Sequence, residues 1–265
     1  MQLFRLAAIA VLTVAGSPAC AVAAIFPSVP AADIAQHFTD YYGVRQHAQQ
    51  RVQVTTATLG GVSRPVVRAD WYGTDATPHS DFHLLHEQHP VQSTRRWYAM
   101  SVFLPADWSA GSVPITVAQV DNGSGAGALA PPLALQIQGD QLLLNMNFNH
   151  RTSDITPANS ARRTVVAGPA TPGSWHCMVV RADWSAVAGS GELRVYMNGN
   201  SKETFFARSS HNSYAGALHV PRVGLSVPAG AAPVHRALYA DFLWVGDAAA
   251  SLNDMTLKTP CHAAS

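Results

Sequence analysis

The chain has 265 residues, of which 12% are charged, and its formal net charge is +1. This balance argues against a basic nucleic-acid-binding surface and against an acidic solvating tail. A chain of this length can form one large β-sandwich, so a second domain is not required.

Residues 1–24 have the pattern of a secretory signal peptide. Arg5 provides a positive start, an apolar run follows, and Ala21-Val22-Ala23 has the small residues of a cleavage site. The apolar run is too short to span a membrane. The pattern predicts a mature protein that is secreted or periplasmic and has no membrane span.

Three further parts are expected after this leader. Residues 25–50 are mixed in composition and should form an N-terminal extension with a short helix near Ala31–Tyr42. Residues 51–250 contain the strand-like patterns and should form the main domain. Residues 251–265 should form a C-terminal tail.

The clearest strand patterns lie near the middle of the main domain. Trp175–Trp184 is mostly apolar, which suits a strand covered on both faces. Glu192–Asn198 alternates polar and apolar residues. Asn198-Gly199 favours a tight turn because both residues tolerate positive φ, so Ser201–Phe206 should return antiparallel. These segments predict an all-β domain.

Two cysteines remain once the leader is removed. In an oxidising compartment Cys177 and Cys261 would usually form a disulfide, which would tie the tail to a central strand. The alternative is two free thiols, with Cys177 packed as a small apolar residue.

Several sequence motifs follow one another in a fixed order. They are Arg68-Ala69-Asp70, Trp97–Pro105, Ala118-Gln119, Pro131–Leu142, Gly191–Gly199, Val220–Ser226 and Leu238–Asp247. Together they resemble motifs of the polysaccharide lyases related to heparin lyase I and glucuronan lyase. The resemblance implies an all-β, two-sheet antiparallel β-jelly-roll sandwich of the concanavalin type, with a sugar-binding face.

The resemblance also implies a reaction. A lyase acting on an anionic uronate polymer must neutralise the carboxylate, remove the C5 proton and protonate the departing O4. By resemblance, Arg68 and Gln119 would neutralise the carboxylate. The alternative for Arg68 is a structural ion pair with Asp70, two residues further along the same strand face.

The proton-transfer positions depart from the family pattern. Asp121 stands where relatives have a histidine, and Ser226 stands where they have a tyrosine. A serine hydroxyl is too weakly acidic to replace that tyrosine unaided. Related lyases use a histidine from an earlier strand, so His83 and His86 are the first substitutes. The further candidates are Asp121, His150 and Tyr239.

His79, His83, His86 and His89 form a histidine-rich segment. The three-residue spacing of His83, His86 and His89 would bring zinc ligands together on a helix, but the flanking prolines favour a loop and a short strand instead. A solvated loop without a site role is the alternative to a catalytic contribution.

Other residues are candidates for binding the substrate or a metal ion. The candidates for substrate binding are Arg222, Ser226, Asn147, His150 and Trp71, the last by stacking on a sugar ring. Asp241 is a candidate ligand for a structural Ca²⁺. Its alternative role is to accept hydrogen bonds from nearby backbone N–H groups.

Two functions from different classes follow. The first is a secreted polysaccharide lyase, acting as a monomer on an anionic polysaccharide, with altered acid and base residues. The second is a catalytically inactive carbohydrate-binding protein on the same scaffold, since a fold does not fix a function.

Overall fold

Strands dominate the computed structural model, which describes residues 23–46, 51–85, 89–90, 95–109, 111–123 and 129–264. In chain order the strands are β1 (Ile25–Phe26), β2 (Tyr42–Arg45), β3 (Val52–Leu59), β4 (Val62–Trp71), β5 (His79–Leu84), β6 (His89–Pro90), β7 (Arg96–Phe103), β8 (Ile115–Asp121), β9 (Leu133–Gln138), β10 (Gln141–Phe148), β11 (Ala161–Pro169), β12 (Trp175–Asp183), β13 (Gly191–Met197), β14 (Phe205–Ser210), β15 (Leu218–Ser226), β16 (Arg236–Ala240) and β17 (Trp244–Gly246).

These strands form two antiparallel sheets. The nine-stranded sheet has the order β14-β13-β12-β7-β16-β4-β3, with β17 paired to β7 and β1 paired to β17. The eight-stranded sheet has the order β11-β10-β9-β8-β15-β5-β2, with β6 beside β15. The predicted all-β, two-sheet jelly-roll sandwich is therefore confirmed.

The core lies between the sheets, and strand alternation decides which side chains leave it. Val67 and Ala69 of β4 are fully buried in the core, as are Val120 of β8 and Val223 of β15. Their neighbours along each strand point outward because successive side chains alternate between the two faces. We call the outward surface of the eight-stranded sheet the front face and that of the nine-stranded sheet the back face.

The segments expected to flank the main domain take part in the sandwich. Within residues 25–50, β1 pairs with β17 and β2 pairs with β5. The expected helix near Ala31–Tyr42 appears as two short helices, α1 (Ala31–Gln36) and α2 (Phe38–Tyr41). No helix in the described part of the chain has the length and apolar character needed to cross a bilayer.

The C-terminal residues pack on the back face. Helix α3 (Leu252–Thr256) contacts β7 and β12, and the 3₁₀ segment Pro260–Ala264 contacts β12. The sulfur atoms of Cys177 and Cys261 form a disulfide with an S–S distance of 2.02 Å. The predicted bond between the tail and a central strand is confirmed.

The tight turn predicted after β13 is confirmed, because Asn200 N donates to Met197 O at 3.1 Å across Asn198-Gly199, but the strand that follows begins later than expected. Asn198 and Gly199 do have positive φ, but the returning strand β14 begins only at Phe205. Asn198 instead extends the pairing with β12, since its backbone N–H donates to Cys177 O and its Oδ1 accepts from Cys177 N. These two bonds hold Asn198 against β12.

Candidate functional site

Three polar residues of the front face lie opposite one another on adjacent strands. Gln119 on β8 is the register partner of Arg222 on β15, and Arg222 is the register partner of His83 on β5. Such opposed residues share a face, with their Cβ atoms about 4.5–5.5 Å apart. The sheet order thus brings together three candidates that are far apart in sequence.

A second row crosses the same strands. Ser226 on β15 is the register partner of Thr116 on β8 and of His79 on β5. A cavity of about 370 Å³ lies over these residues and opens to solvent. Its lining consists of Arg45, His79, Thr116, Gln119, Asp121, Asn122, Gly123, Leu129, Pro131 and Ser226.

An alternating set of charges lies beside this cavity. Arg45 binds Asp81 through two hydrogen bonds, from Nε to Oδ1 at 2.9 Å and from Nη2 to Oδ2 at 2.7 Å. Arg222 Nε donates to Asp121 Oδ2 at 3.1 Å, and Arg45 Nη1 lies 3.5 Å from the same oxygen. Two guanidinium groups and two carboxylates therefore hold one another in place.

Burial and these charges shift the pKa values of the buried members in understandable directions. Burial alone would raise the pKa of Asp81, but contacts with His79 and Arg45 and the charges of Arg45 and Arg222 leave it below the ordinary value. Burial, followed by the charge of Arg45, lowers the pKa of Arg222. Asp81 is thus held as the anion that orients its neighbours.

The two histidines of β5 have different hydrogen-bonding environments. Arg222 Nη1 lies 3.0 Å from His83 Nδ1, and a guanidinium can only donate, so this nitrogen accepts and the neutral ring carries its proton on Nε2. Burial and the charge of Arg222 lower the pKa of His83, which favours the neutral form. His79 Nδ1 instead lies 3.5 Å from Asp81 Oδ2 without forming a hydrogen bond, and the negative charge of the carboxylate favours the tautomer with the proton on Nδ1.

A glycine sets the position of His83. Gly43 on β2 is the register partner of His83, and a Cβ at position 43 would lie 2.6 Å from Cε1 and 2.8 Å from Nε2 of the His83 ring. Only a residue without a side chain leaves room for the ring there. A glycine inside a short strand is the sequence signal that could have pointed to this position.

A strip of polar side chains crosses the front face from β8 toward β11. Gln136 Nε2 donates to Thr116 Oγ1 at 2.9 Å, and Asn145 Nδ2 donates to Gln136 Oε1. Arg162 Nη2 donates to Asn145 Oδ1 at 2.8 Å. Asn147, a predicted substrate-binding residue, is on the same strand face but donates to the backbone oxygen of Pro131 at 2.7 Å. The polar strip therefore spans β8 to β11.

Arg68 and Tyr239 lie on the opposite side of the sandwich from Gln119. They are register partners on β4 and β16 of the nine-stranded sheet. Arg68 binds Asp70 through two hydrogen bonds of 2.8 and 2.9 Å, and Asp70 also contacts His235. Arg68 thus has its alternative role, a structural ion pair with Asp70. The expectation that Arg68 and Gln119 neutralise the same carboxylate is wrong, because the two residues lie in different sheets. A motif read along one strand does not tell which sheet the strand joins.

Trp71 and His150 do not line the cavity. Trp71, expected to stack on a sugar, is buried in the core, and its Nε1 donates to Thr77 O. That expectation is wrong because Trp71 points inward from β4. His150 lies beyond the end of β10, with its ring 5.6 Å from that of His211. His86 lies outside the described residues.

Asp241, the candidate ligand for Ca²⁺, accepts a backbone hydrogen bond, which is the alternative role expected for it. Its Oδ1 accepts from Phe242 N at 2.9 Å, and its Oδ2 lies 3.9 Å from Arg64 Nη1. Within the described ranges no group of three His, Cys, Asp or Glu side chains could hold a metal ion, whereas calcium also accepts backbone carbonyls as ligands, so a structural Ca²⁺ at Asp241 stays a prediction. Burial raises the pKa of Asp241 to about 6.

Comparisons with known proteins agree with this fold. An endo-β-1,4-glucuronan lyase from the fungus Trichoderma reesei has a similar structure, with a TM-score of 0.61 and 18% identity over 78% of this chain and 91% of that one. A marine alginate lyase from Aplysia kurodai gives a TM-score of 0.54 and 12% identity, over 83% of this chain and 97% of that one.

A third neighbour, an alginate lyase from Chlorella virus, gives a TM-score of 0.52 and 12% identity, over 82% of this chain and 97% of that one. No curated protein sequence matches the chain. Residues 36–242 match the family model described as polysaccharide lyase. Because this match covers well over half of the 265 residues, the chain belongs to the polysaccharide lyase family and is an enzyme of that class rather than the inactive binding protein considered above.

Proposed function

We propose that this enzyme is secreted and cleaves an anionic, uronate-containing polysaccharide by β-elimination at the front-face cavity. One observation carries the proposal: His79 and Gln119 line the same cavity, and Arg222 lies directly opposite Gln119 on the neighbouring strand. A proton acceptor and carboxylate-binding donors are thus combined in one place. The neighbours that act on glucuronan and alginate make polyuronates the substrates to test first.

Gln119 and Arg222 would neutralise the substrate carboxylate. Two of the five N–H groups of Arg222 donate to Asp121 and His83. The remaining donors, together with the side-chain NH₂ of Gln119, would bind the uronate carboxylate and make the C5 proton more acidic. His83 would act through Arg222 as a positioning residue, because its ring accepts one of the guanidinium bonds.

His79 would transfer the proton. With Asp81 favouring the proton on Nδ1, the lone pair of Nε2 is available to a substrate in the cavity. Nε2 would take the C5 proton while the C4–O4 bond breaks and the C4–C5 double bond forms. The resulting imidazolium would then give a proton to O4, so one residue would serve as base and then as acid.

This assignment accounts for both departures from the family pattern. Asp121 is held by Arg222 and Arg45, so it would order the donors rather than take up a proton. Ser226 is small, and His79 is its partner across the strands, so an imidazole stands beside the position where relatives carry a tyrosine. Sequence reasoning missed His79 because the pairing of β5 with β15 is a property of the topology.

The test is the ultraviolet absorbance of the unsaturated uronate product. The mature enzyme would be incubated with glucuronan, alginate, heparin, hyaluronan and polygalacturonate. His79→Gln should lower kcat on the cleaved polymer by about 10² or more, the usual contribution of a general base. His83→Gln should mainly raise KM. Full activity in His79→Gln would contradict the proposed base, and no product from any polymer would contradict the proposed substrate class.

A further inference from the structure

The back face carries a second cavity, of about 510 Å³, far from the charges of the front face. It lies between the β3–β4 turn, the strands β7 and β12, and the disulfide-bonded C-terminal segment. The residues that matter for its chemistry are Arg64, Phe103, Trp175, Asn198 and His262. Its size is in the range of small-molecule binding sites.

Aromatic rings form one side of this cavity. Trp175 and Phe103 are register partners on β12 and β7, and their rings meet edge to face with centroids 5.5 Å apart. Trp175 is only partly buried, whereas Phe103 is buried behind it. A partly exposed indole held rigidly by a second ring is suited to contact the apolar face of a sugar.

Arg64 supplies a cation that has no hydrogen-bonded carboxylate among the described residues. The guanidinium lies 5.8 Å from the centre of the Trp175 ring, and its contact with Asp241 Oδ2 is long, at 3.9 Å. By contrast, Arg45 and Arg68 each bind a carboxylate through two hydrogen bonds below 3 Å. Arg64 can therefore offer a planar pair of donors to a carboxylate ligand, which is the geometry that arginine favours.

Polar groups complete the lining. Asn198 Oδ1 already accepts from Cys177 N, so Asn198 can offer a ligand its side-chain NH₂ group. His262 Nδ1 lies 2.6 Å from the carbonyl oxygen of Thr259 and must donate to it. The cavity thus combines an aromatic surface, a guanidinium and an amide donor, which together match a sugar ring that bears a carboxylate.

We propose that the back-face cavity binds a uronate unit of the polysaccharide and holds the polymer at a second point on the enzyme. The carboxylate binds Arg64, and the ring packs on Trp175. The choice of ligand rests on the proposed function, whereas the existence of a site rests on the cavity itself. Such a site increases affinity for long chains without taking part in the reaction.

Binding of long chains to an inactive enzyme tests the proposal. In a His79→Gln background, affinity for glucuronan, alginate and polygalacturonate is measured with and without Arg64→Gln. Arg64→Gln should weaken binding of the recognised polymer about tenfold, the value of one charge-assisted hydrogen bond. In the otherwise unchanged enzyme, Arg64→Gln should leave kcat/KM on a tetrasaccharide within about twofold, since the front face is intact.

Arg208→Gln is the matched control. Arg208 lies on β14 of the same sheet, and its side chain is 74% exposed, so the variant removes the same charge away from the cavity. Equal losses in Arg64→Gln and Arg208→Gln, or no loss in Arg64→Gln, would overturn the proposal. Trp175→Phe keeps the contact with Phe103 and serves as a second variant if Arg64→Gln does not fold.

The outcomes separate the two proposals. A polymer that is cleaved normally but bound without help from Arg64 contradicts only the back-face site. A polymer that is bound through Arg64 but never cleaved contradicts only the proposed function.

Discussion

Asp241 and Asp81 are both buried carboxylates, yet their surroundings affect them in opposite ways. Asp81 is bonded to Arg45 by two short hydrogen bonds and has a lowered pKa. The nearest guanidinium described for Asp241, that of Arg64, lies 3.9 Å away, and burial raises the pKa of Asp241 to about 6. Tight pairing is therefore what makes a buried charge tolerable, and Asp241 lacks it.

The raised pKa of Asp241 makes stability depend on pH. Between the unfolded value of 3.8 and the folded value of about 6, the folded protein binds more protons than the unfolded chain. The contribution of Asp241 to stability is therefore fully present below pH 3.8 and is lost as pH rises through 6. The difference between these two pKa values corresponds to roughly 3 kcal/mol of folding free energy.

Asp241→Asn should remove this dependence, because an amide keeps an acceptor for Phe242 N and never ionises. The free energy of unfolding of the variant and of the parent chain is measured by urea denaturation at pH 4 and at pH 7.5. The variant's advantage over the parent should be larger at pH 7.5 than at pH 4, by up to about 3 kcal/mol. Asp107→Asn removes an exposed carboxylate and controls for net charge. A difference between variant and parent that is the same at both pH values would contradict the account.

At the scale of elements, the pairing of β2, β5, β15 and β8 creates the front-face site. Each strand supplies one member of the row Gly43, His83, Arg222 and Gln119. The row works as a unit. Gly43 leaves space for the His83 ring, His83 accepts a hydrogen bond from Arg222, and Arg222 lies opposite Gln119. Gly43 is the position to test, because it has no side chain that could take part in the reaction.

Gly43→Ala should displace the His83 ring and break its contact with Arg222. The added Cβ would lie within 3 Å of two ring atoms, and the half-exposed ring can move away. We expect kcat/KM to fall about tenfold or more, as for a misplaced positioning group, with little change in melting temperature. Gly111→Ala is the control, since a Cβ there meets no atom closer than 3.9 Å. Equal activity of Gly43→Ala and Gly111→Ala would contradict this role for Gly43.

Alternation and ordered motifs were enough to predict the strands and the sandwich. For example, the predicted strand Trp175–Trp184 forms β12 over Trp175–Asp183, and the disulfide joins the two predicted cysteines. They were not enough to predict which strands become neighbours. Arg68 carries a family-like motif but lies in the other sheet, whereas His79 carries no motif and lies across from Ser226. Site geometry depends on pairings between distant segments, which the local pattern does not contain.

At the scale of the whole molecule, the disulfide closes a loop of 84 residues and fastens the C-terminal segment to the back face. Loop-closure entropy gives such a bond about 4–5 kcal/mol, and measured losses are commonly about 2–5 kcal/mol. The double variant Cys177→Ala/Cys261→Ala should lose stability of this order in urea denaturation. Its turnover of short oligosaccharides should stay close to the parent value at a temperature where both are folded, because the front face belongs to the other sheet. A large loss of turnover in the folded variant would show that the two faces are coupled.

The central claim is that the reaction takes place on the front face. It is tested most directly by comparing Arg222→Gln with Arg68→Gln, each of which removes one guanidinium from one side of the sandwich. The measurement is the initial rate of unsaturated product formation on the cleaved polyuronate, with circular dichroism to confirm folding. We expect Arg222→Gln to lose about 10² or more in kcat/KM, as when a donor to the reacting carboxylate is removed. Arg68→Gln should stay within a few-fold of the parent, since Arg68 serves an ion pair with Asp70. Loss of activity in Arg68→Gln with full activity in Arg222→Gln would place the reaction on the back face and contradict the account.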